Sequence, residues 1–446
     1  MIIPSIDIMS GRTVQLVGGR EKALDAGDPV PLAQTFRLAG EIAVIDLDAA
    51  IGGGENSTLI RKVIETAPCR VGGGIRSVEK AIEWLDAGAS KVILGTAARR
   101  EVLERLPKER VIAALDAEHD AIVVEGWRKK TGERVVDRMK ELRDLVGGFL
   151  VTFVEREGRL GGIDLTRVKE LADAAGDTRL TVAGGVTTVE EVAVCDRLGV
   201  DAQVGMAIYT GKMNLADAIA APLVQPSAQE LTQSVGHPLR GGEGRGEGGL
   251  PPSASPLWPT VVCDERGVAL GLAWSDRESL REAVRLRRGV YHSRRRGLWT
   301  KGETSGDTQE LTRIDLDCDR DAIRFTVRQH GTGFCHTGTR TCWGPDGGFG
   351  ALFRLVASRI ESAPPGSYTK KLLEDPALLK AKILEEAGEL GVAATMGEVA
   401  GEAADVIYFT LVAMANAGVT LEDVERVLDR RSLKVTRRPG DAKNTQ

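Results

Sequence analysis

Residues 69–77 read Cys-Arg-Val-Gly-Gly-Gly-Ile-Arg-Ser, and residues 180–187 read Leu-Thr-Val-Ala-Gly-Gly-Val-Thr. Each stretch is a short apolar run that ends in consecutive glycines and opens a helix-like segment. Glycines at that point let backbone N–H groups approach a phosphate at the N-terminus of a helix. The repetition of this pattern in one region predicts two phosphate sites, one in each half. Tight strand–helix turns without a ligand are the simpler alternative.

Similar apolar runs, each followed by Gly, Ser, Thr or Asp and then by a helical pattern, recur from the first residue to about residue 221. Strands that are apolar throughout and alternate with helices indicate a parallel sheet covered on both faces. Seven or eight such units in about 220 residues favour a closed (β/α)8 TIM barrel over residues 1–223. A doubly wound open sheet is the alternative.

A glycine also follows the next strand in each half, at Gly95-Thr96 and at Gly205-Met206. The pattern therefore suits a substrate that carries a phosphate at each end. The predicted phosphate-binding residues are Gly73, Gly74, Arg76, Ser77, Gly95, Thr96, Gly184, Gly185 and Gly205.

The chain changes character after the predicted barrel. Residues 224–258 are rich in Gly and Pro and cannot bury enough apolar surface to order themselves, so they are predicted to be a flexible linker. Residues 259–345 have the alternation of a mainly-β α+β domain, and residues 350–440 have the periodicity of an all-α domain. The fold class is therefore multidomain.

The composition excludes several classes of function. The 446 residues include 59 basic and 64 acidic side chains, which give a net charge of −5. This charge does not indicate the basic surface that binds nucleic acid or an anionic membrane. Aromatic residues at 4% are too few for a base-stacking platform. Neither a signal peptide nor a bilayer-spanning run is expected, and six cysteines in so long a chain do not indicate a disulfide framework. The sequence therefore predicts a cytoplasmic enzyme.

Three aspartates alternate with other residues in Asp317-Cys318-Asp319-Arg320-Asp321. In an extended strand the three carboxylates share one face and Cys318 lies on the other. Carboxylates favour Mg²⁺, and thiolates favour Zn²⁺. Cys335 and Cys342 supply two more thiolates, which leaves the fourth position of a tetrahedral zinc free for a reactive water. His336 is the candidate for proton transfer.

This block resembles phosphoribosyl-AMP cyclohydrolase, a family whose signatures are Trp-x-Lys-Gly-Glu-x-Ser-Gly, Asp-Cys-Asp-x-Asp and Cys-His-x-Gly followed by Cys. The resemblance implies a zinc-dependent homodimer that opens the adenine ring hydrolytically, with the zinc site shared across the interface. It implies zinc at Cys318, Cys335 and Cys342 and magnesium at Asp317, Asp319 and Asp321. It also implies substrate contacts at Trp299, Lys301, Glu303, Ser305 and, in the basic segment 291–296, Arg294. A solvated charge run is the alternative for that segment.

Two acidic pairs, Glu386 with Glu389 and Glu402 with Asp405, occur in the predicted helical tail. Acids three residues apart share a helix face, and two antiparallel helices would gather four carboxylates that need Mg²⁺ to offset their repulsion. The tail resembles phosphoribosyl-ATP pyrophosphohydrolase, an all-α, MazG-like fold with paired Glu-x-x-Glu and Glu-x-x-Asp motifs. The resemblance implies tail magnesium ligands at these four residues and a catalytic Lys382. It also implies that nucleoside triphosphate, an ATP derivative, binds here.

The barrel resembles phosphoribosylformimino-aminoimidazole carboxamide ribotide isomerase through residues 3–7, 45–49, 72–77 and 183–186. That reaction is an Amadori rearrangement, which needs a general acid and a general base. Asp7 corresponds to the base, and Asp116 and Thr152 correspond to supporting positions. Glu157 stands for the second acid, where bacterial relatives have the Asp of Asp-Gly-Thr-Leu. Phe153 and Met206 replace residues that are commonly polar or basic.

The three resemblances imply consecutive steps on phosphoribosyl nucleotides in L-histidine biosynthesis. The tail removes pyrophosphate, the middle block opens the purine ring, and the barrel isomerises the product. We expect Zn²⁺ and Mg²⁺ as cofactors and a homodimer formed through the cyclohydrolase and pyrophosphohydrolase domains. The alternative is a bifunctional hydrolase whose catalytically degenerate barrel serves as a scaffold or oligomerisation module.

Overall fold

The computed structural model describes residues 1–19, 21–124, 127, 129–224, 256–293, 296–344 and 346–436. Most of the predicted linker and Arg294 lie outside the described residues. Met1–Gly338, together with the described residues from Leu433 onward, forms one compact unit, and Thr339–Ser432 forms a second.

The first part of the larger unit is built on one sheet, which has twelve strands in the described residues. These are β1 (Ile2–Met9), β2 (Arg12–Val17), β3 (Glu21–Gly27), β4 (Ile42–Asp46), β5 (Cys69–Gly72), β6 (Lys91–Leu94), β7 (Val111–Glu118), β8 (Ala121–Val124), β9 (Lys129–Arg134), β10 (Gly148–Phe153), β11 (Arg179–Ala183) and β12 (Val200–Val204).

Eight of these strands, all within the described ranges, pair in parallel and close on themselves in the order β1-β4-β5-β6-β7-β10-β11-β12. The closing pair is β12 with β1, where Ala202 lies opposite Ile2. The predicted (β/α)8 barrel is confirmed, and the open-sheet alternative is wrong because no edge is left between β12 and β1. The antiparallel additions β2–β3 and β8–β9 extend β1 and β7.

Helices follow the barrel strands and cover their outer face. They are α1 (Pro29–Phe36), α2 (Leu47–Ile51), α3 (Ser57–Thr66), α4 (Val78–Ala87), α5 (Arg100–Leu103), α6 (Val135–Leu142), α7 (Leu165–Ala175), α8 (Val189–Arg197), α9 (Met206–Tyr209) and α10 (Leu215–Ala220). The two helices after the glycine turns begin at side-chain caps, since Ser77 Oγ accepts from Lys80 N and Thr188 forms a capping box with Glu191. Sequence and local structure therefore agree at both turns.

The same unit continues into a small α+β region. Its elements are β13 (Trp258–Cys263), β14 (Ala269–Ser275), α11 (Arg277–Leu286), β15 (Val290–Ser293), β16 (Gly297–Thr300), β17 (Gln309–Leu316) and β18 (Ile323–Gln329). Four of these strands form a sheet in the order β14-β13-β18-β17, and β15 and β16 form a separate hairpin. Alternate residues of β18 are buried, as the sequence alternation predicted. The mainly-β α+β prediction is confirmed.

The second unit is helical throughout its assigned elements: α12 (Gly348–Glu361), α13 (Tyr368–Glu374), α14 (Pro376–Val392), α15 (Met396–Asn416) and α16 (Leu421–Ser432). Helix α14 begins where the sequence predicted, with Asp375 as N-cap and Pro376 in the first turn. Its core contains Val356, Leu372 and Phe409. The all-α prediction is confirmed.

None of the described helices is by itself long and apolar enough to cross a membrane. Helices α15 and α16 meet the length and composition criterion only when taken together, and they are bent by 109° at the break between them.

Candidate active sites

A cavity of about 860 Å³ opens at the carboxyl ends of the barrel strands. This is the end at which TIM barrels place their reactive side chains, because the loops after all eight strands converge there. Most of the predicted barrel residues line it: Asp7, Asp116, Thr152, Glu157, Gly73, Gly74, Arg76, Gly95, Thr96, Gly184, Gly185 and Gly205. Ser77 is not among the lining residues and acts as the helix N-cap instead.

Asp7 lies on β1 and faces the cavity. Ser5 Oγ donates a hydrogen bond to Asp7 Oδ1 at 2.8 Å, and Gln15 Nε2 donates to Oδ2 at 3.4 Å. Burial raises the pKa of Asp7 to about 6, although both hydrogen bonds act in the opposite direction. Asp7 is therefore largely ionised at neutral pH but basic enough to accept a proton, which suits a general base.

Glu157 follows β10 and lines the same cavity. Burial, together with the negative charges of Asp7 and Asp116, raises the pKa of Glu157 to about 8. The carboxyl group is thus mainly protonated at neutral pH and can donate a proton. Two carboxyl groups whose environments separate their pKa values provide an acid and a base in one site.

Asp116 supports this pair from the end of β7. Trp127 Nε1 donates a hydrogen bond to Asp116 Oδ2 at 2.8 Å, and a hydrogen bond with Thr152 also stabilises the ionised form. Burial nevertheless raises the pKa of Asp116 above its usual value. Two partners therefore fix the orientation of this carboxylate beside Glu157.

The glycine turns have a steric requirement that is independent of any ligand. Gly73 and Gly184 both have positive φ, at 92° and 82°. A Cβ at Gly73 would collide with the backbone oxygen of Asp46, and one at Gly184 with the backbone oxygen of Phe153. The turns must therefore be glycine to let the backbone pass the preceding strand. Gly73 and Gly184 line the same cavity.

The two unusual residues near the second acid have different environments. Met206 lines the cavity, next to Gly205. The Phe153 side chain is 5% exposed and belongs to the hydrophobic core, so its replacement of a polar residue is accommodated by packing.

The aspartate triplet of the α+β region lies in a loop. Strand β17 ends at Leu316, and the next strand begins at Ile323. The prediction of an extended strand with alternating faces is wrong, because Asp317 Oδ1 accepts hydrogen bonds from the N–H groups of Asp321 and Ala322, at 3.0 and 3.1 Å, and so folds the chain back. The fold brings one carboxylate oxygen each from Asp317, Asp319 and Asp321 within 4.8 Å of one another.

The cysteines form two chemical groups. Cys318 and Cys342 are exposed and Cys335 is partly exposed, whereas Cys69, Cys195 and Cys263 are buried. Burial raises the pKa of the Cys69 and Cys195 thiols, which makes them poor thiolate donors. Cys335 Sγ lies 3.1 Å from Thr337 Oγ1 and 3.9 Å from His336 Nδ1. The accessible thiols are the ones in the motifs, and thiolates are ordinary zinc ligands. Within the described residues, however, no cysteine belongs to a group of three possible metal ligands, and Cys342 lies in the second unit whereas Cys318 and Cys335 lie in the first.

The predicted substrate-binding motif of this region is partly buried. Lys301 is 5% exposed, and its Nζ lies 6.0 Å from the centre of the Phe334 ring. The Trp299 ring packs on Tyr291 with centroids 5.7 Å apart. Glu303 and Ser305 are exposed in the turn that follows β16. The motif therefore combines packing residues with two side chains that reach solvent.

The tail acids gather on α14 and α15. One carboxylate oxygen each from Glu386, Glu389 and Glu402 lies within 4.8 Å of the others, and Asp405 is outside this group. Desolvation and the charges of Glu389 and Glu386 raise the pKa of Glu402, the expected effect of crowded carboxylates. Lys382 Nζ lies 2.6 Å from Glu386 Oε1. Lys382, which lies on the same helix as Glu386, therefore neutralises part of the negative charge of the tail carboxylates.

Comparison with known proteins places the barrel in a family. Residues 1–214 match the family model described as histidine biosynthesis protein. The imidazole-4-carboxamide isomerase of Methanocaldococcus jannaschii is 34% identical over 232 residues, which cover 49% of this chain and 98% of that enzyme. The chain belongs to this isomerase family.

Two further family models match beyond the isomerase-family barrel, in the order that the sequence predicted. Residues 271–344 match phosphoribosyl-AMP cyclohydrolase, and residues 349–432 match phosphoribosyl-ATP pyrophosphohydrolase. The histidine biosynthesis trifunctional protein of Neurospora crassa is 56% identical over 187 residues, covering 42% of this chain and 21% of that protein. A bifunctional histidine biosynthesis protein of Schizosaccharomyces pombe is 49% identical over 187 residues and is covered to 45%. The chain spans less than half the length of these fungal relatives.

Sequence reasoning missed several residues around the isomerase-family site. Ser5 was detectable, since residues two apart on a strand share a face and Asp7 was already a candidate. Gln15 and Trp127 had no such signal, because they reach the site from the β2 strand and from the segment after β8. In the α+β region, His292 Nδ1 lies 2.7 Å from Asp276 Oδ2. His292 belongs to the basic segment 291–296, whereas Asp276 is not part of any motif.

Proposed function

We propose that this chain carries out three consecutive steps of histidine biosynthesis. It hydrolyses phosphoribosyl-ATP to phosphoribosyl-AMP and pyrophosphate, opens the adenine ring with water, and isomerises the resulting aminoaldose to the aminoketose. The single observation that carries the proposal is the acid–base pair of Asp7 and Glu157 in the cavity of an isomerase-family barrel. The two adjacent family matches supply the preceding steps.

For the isomerisation, Glu157 protonates the ribose ring oxygen, and the bond from that oxygen to C1′ breaks to give an iminium ion. Asp7 then removes the proton from C2′, which leaves an enaminol. Proton transfer from the enaminol hydroxyl to C1′ gives the ketone, so the product is an isomer of the substrate. The pKa values of about 6 for Asp7 and about 8 for Glu157 support these roles at neutral pH.

The two phosphates of that substrate are assigned to the two glycine turns. Gly73, Gly74 and Arg76, with Gly95 and Thr96 on the next strand, serve one end. Gly184, Gly185 and Gly205 serve the other end. The assignment is supported by the common cavity, by the positive φ of Gly73 and Gly184, and by the capped helices that begin five residues after each of these glycines.

The acid–base pair predicts a bell-shaped pH dependence of kcat/KM for the isomerisation. Activity rises as pH increases through about 6, because Asp7 must be ionised, and falls as pH increases through about 8, because Glu157 must be protonated. Glu157→Gln should lower kcat/KM by roughly 100-fold and remove the alkaline limb. Steady-state assays from pH 5 to pH 10 measure both effects. An alkaline limb that persists in Glu157→Gln would assign proton donation to another group.

The rival proposal treats the barrel as a scaffold for two hydrolases. It rests on Glu157, Phe153 and Met206, which depart from the family pattern. The location of Glu157 beside Asp7 and Asp116 argues for activity, because a longer carboxylate that still reaches the cavity retains the proton donor. The pH profile separates the two proposals, since a scaffold has no isomerase activity to titrate.

For ring opening, zinc bound by Cys318, Cys335 and Cys342 would supply an acidified water at neutral pH. The support is the accessibility of these three thiols, in contrast to the buried ones. Asp317, Asp319 and Asp321 would hold magnesium, since their oxygens converge within 4.8 Å. His336, beside Cys335, would move the proton to the leaving nitrogen. Trp299, Lys301, Glu303 and Ser305 remain the proposed substrate contacts.

For pyrophosphate removal, Glu386, Glu389, Glu402 and Asp405 would hold magnesium, and the convergence of the first three within 4.8 Å supports this. Lys382 would share Glu386 with the metal and neutralise phosphate charge. Its contacts with Glu386 and Glu385 raise the pKa of the ammonium group, so it stays charged throughout the physiological range. We also propose a cytoplasmic homodimer, in which the exposed Cys318 completes the zinc site with thiols of a second copy.

A further inference from the structure

The loop that carries the aspartate triplet is bound to the barrel through Arg320. Arg320 Nε lies 3.0 Å from Asp196 Oδ2, and Arg320 Nη2 lies 3.1 Å from Asp196 Oδ1. Asp196 is on α8 of the barrel, and the two side chains are only 26% and 10% exposed. This is a two-pronged guanidinium–carboxylate contact, the geometry in which an arginine fixes orientation as well as charge.

Arg320 is also tied to the loop itself. Its Nη1 donates to the backbone oxygen of Asp317 at 2.6 Å, and its own backbone oxygen accepts from Val224 N, directly after the barrel, at 2.8 Å. Its φ of 66° is in the left-handed region, which is unfavourable for a residue with a side chain. A conformation of this kind persists where surrounding contacts hold it. Two of the three contacts come from outside the loop, from Asp196 of the barrel and from Val224 directly after it.

We propose that the barrel positions the carboxylate loop through the Asp196–Arg320 pair and thereby sets the loop's affinity for a divalent cation. Arg320 occupies the one variable position of the Asp-Cys-Asp-x-Asp motif, so the motif itself does not require it. The proposal rests on the proposed function of Asp317, Asp319 and Asp321 as metal ligands. Arg320 is a positioning residue, because it reaches the carboxylates only through the backbone.

Asp196 also forms an ion pair within the barrel. The N-terminal ammonium of Met1 lies 3.1 Å from Asp196 Oδ1 and 3.2 Å from Asp201 Oδ1. The Met1 contact therefore restricts the Asp196 side chain independently of Arg320. Because that side chain is already ordered, forming the Asp196–Arg320 pair costs less conformational entropy. The chain of contacts runs from the first residue of the barrel to the oxygen of Asp317.

A second ion pair between the same two regions provides a matched control. Arg281 of α11 contacts Asp217 of α10 with Nε–Oδ1 and Nη2–Oδ2 distances of 2.8 Å. This pair joins the barrel to the α+β region without contacting the loop. A general docking role predicts that Asp217→Asn and Asp196→Asn have equal effects, whereas positioning predicts an effect for Asp196→Asn alone.

The first test is hydrogen exchange of the full chain, followed at the amides of Asp321 and Ala322, which donate to Asp317 Oδ1. We expect faster exchange in Asp196→Asn and Arg320→Ala and wild-type exchange in Asp217→Asn. The double variant Asp196→Asn/Arg320→Ala should exchange no faster than the faster single variant, since Asp196 acts on the loop through Arg320. Wild-type exchange in Asp196→Asn would overturn the proposal.

The second test measures Mn²⁺ affinity by calorimetry in a Glu389→Gln/Glu402→Gln background, which removes two of the three carboxylates that converge in the tail. We expect Asp196→Asn to weaken Mn²⁺ binding about tenfold, within the usual range of coupling between sites, and Asp217→Asn to leave it unchanged. An unchanged affinity in Asp196→Asn would contradict the positioning role. If Asp319→Asn/Asp321→Asn does not affect Mn²⁺ binding either, the proposed metal function fails, and the exchange experiment still decides whether the barrel holds the loop.

Discussion

The Asp7→Asn variant is expected to lose isomerase activity by roughly 1,000-fold, near the middle of the range for removal of a general base. Asparagine has almost the same shape as aspartate and keeps a carbonyl oxygen for the Ser5 hydroxyl, but it cannot take a proton from C2′. The loss should appear in kcat and leave KM largely unchanged, because the phosphate-binding turns are not altered. The measurement is steady-state conversion of the purified aminoaldose by the full chain.

The same polypeptide contains the control for this variant. Ring opening and pyrophosphate release should proceed at wild-type rates in Asp7→Asn, since the residues that line the barrel cavity do not include any of the candidates for those two reactions. A parallel loss of all three activities would indicate misfolding rather than a missing base. Near-normal isomerisation in Asp7→Asn would remove Asp7 from the mechanism.

The Cys335→Ser variant is expected to lose bound zinc and ring-opening activity together. A serine hydroxyl is a far weaker zinc ligand than a thiolate, so the loss should exceed the roughly 10- to 100-fold cost of removing an outer-shell partner of a metal. Elemental analysis of the purified chain and the rate of adenine ring opening are the two readouts. Treatment of the wild-type chain with a zinc chelator should give the same loss, reversible on adding zinc.

Cys263→Ser is the matched control, because Cys263 is buried at 5% exposure and belongs to no metal motif. It should retain zinc and ring opening. Pyrophosphate release, which we assign to the magnesium carboxylates of the tail, should persist in Cys335→Ser. An unchanged zinc content in Cys335→Ser would remove this cysteine from the ligand set, and ring opening without zinc would overturn the metal assignment.

The barrel was predictable because its signal is local and repeated. Each parallel strand is apolar along its whole length, and each glycine turn is forced by a collision that any Cβ would produce, as at Gly73 and Gly184. The protonation states of Asp7 and Glu157 were not predictable, because they depend on burial and on charges that approach from different strands. The longer side chain of Glu157 raised doubt from sequence, whereas the structure gives it a raised pKa beside the base.

The aspartate triplet illustrates the opposite case. Alternation of polar and other residues is typical of a strand. Here the amides of Asp321 and Ala322 donate hydrogen bonds to the Asp317 carboxylate instead, and the backbone therefore forms a loop rather than an extended strand. The residues were identified and their geometry was not. The role of Arg320 could not be predicted from the sequence for a related reason. Its partner Asp196 is 124 positions away in the sequence and lies on a barrel helix.

The most direct test of the three proposed activities supplies the purified 446-residue chain with phosphoribosyl-ATP, Mg²⁺ and Zn²⁺ and follows the products by mass spectrometry. We expect release of pyrophosphate, transient phosphoribosyl-AMP and aminoaldose, and accumulation of the aminoketose, all from one polypeptide. Accumulation of the aminoaldose, identified by separating the two isomers chromatographically, would contradict this expectation and make the barrel a scaffold for two hydrolases.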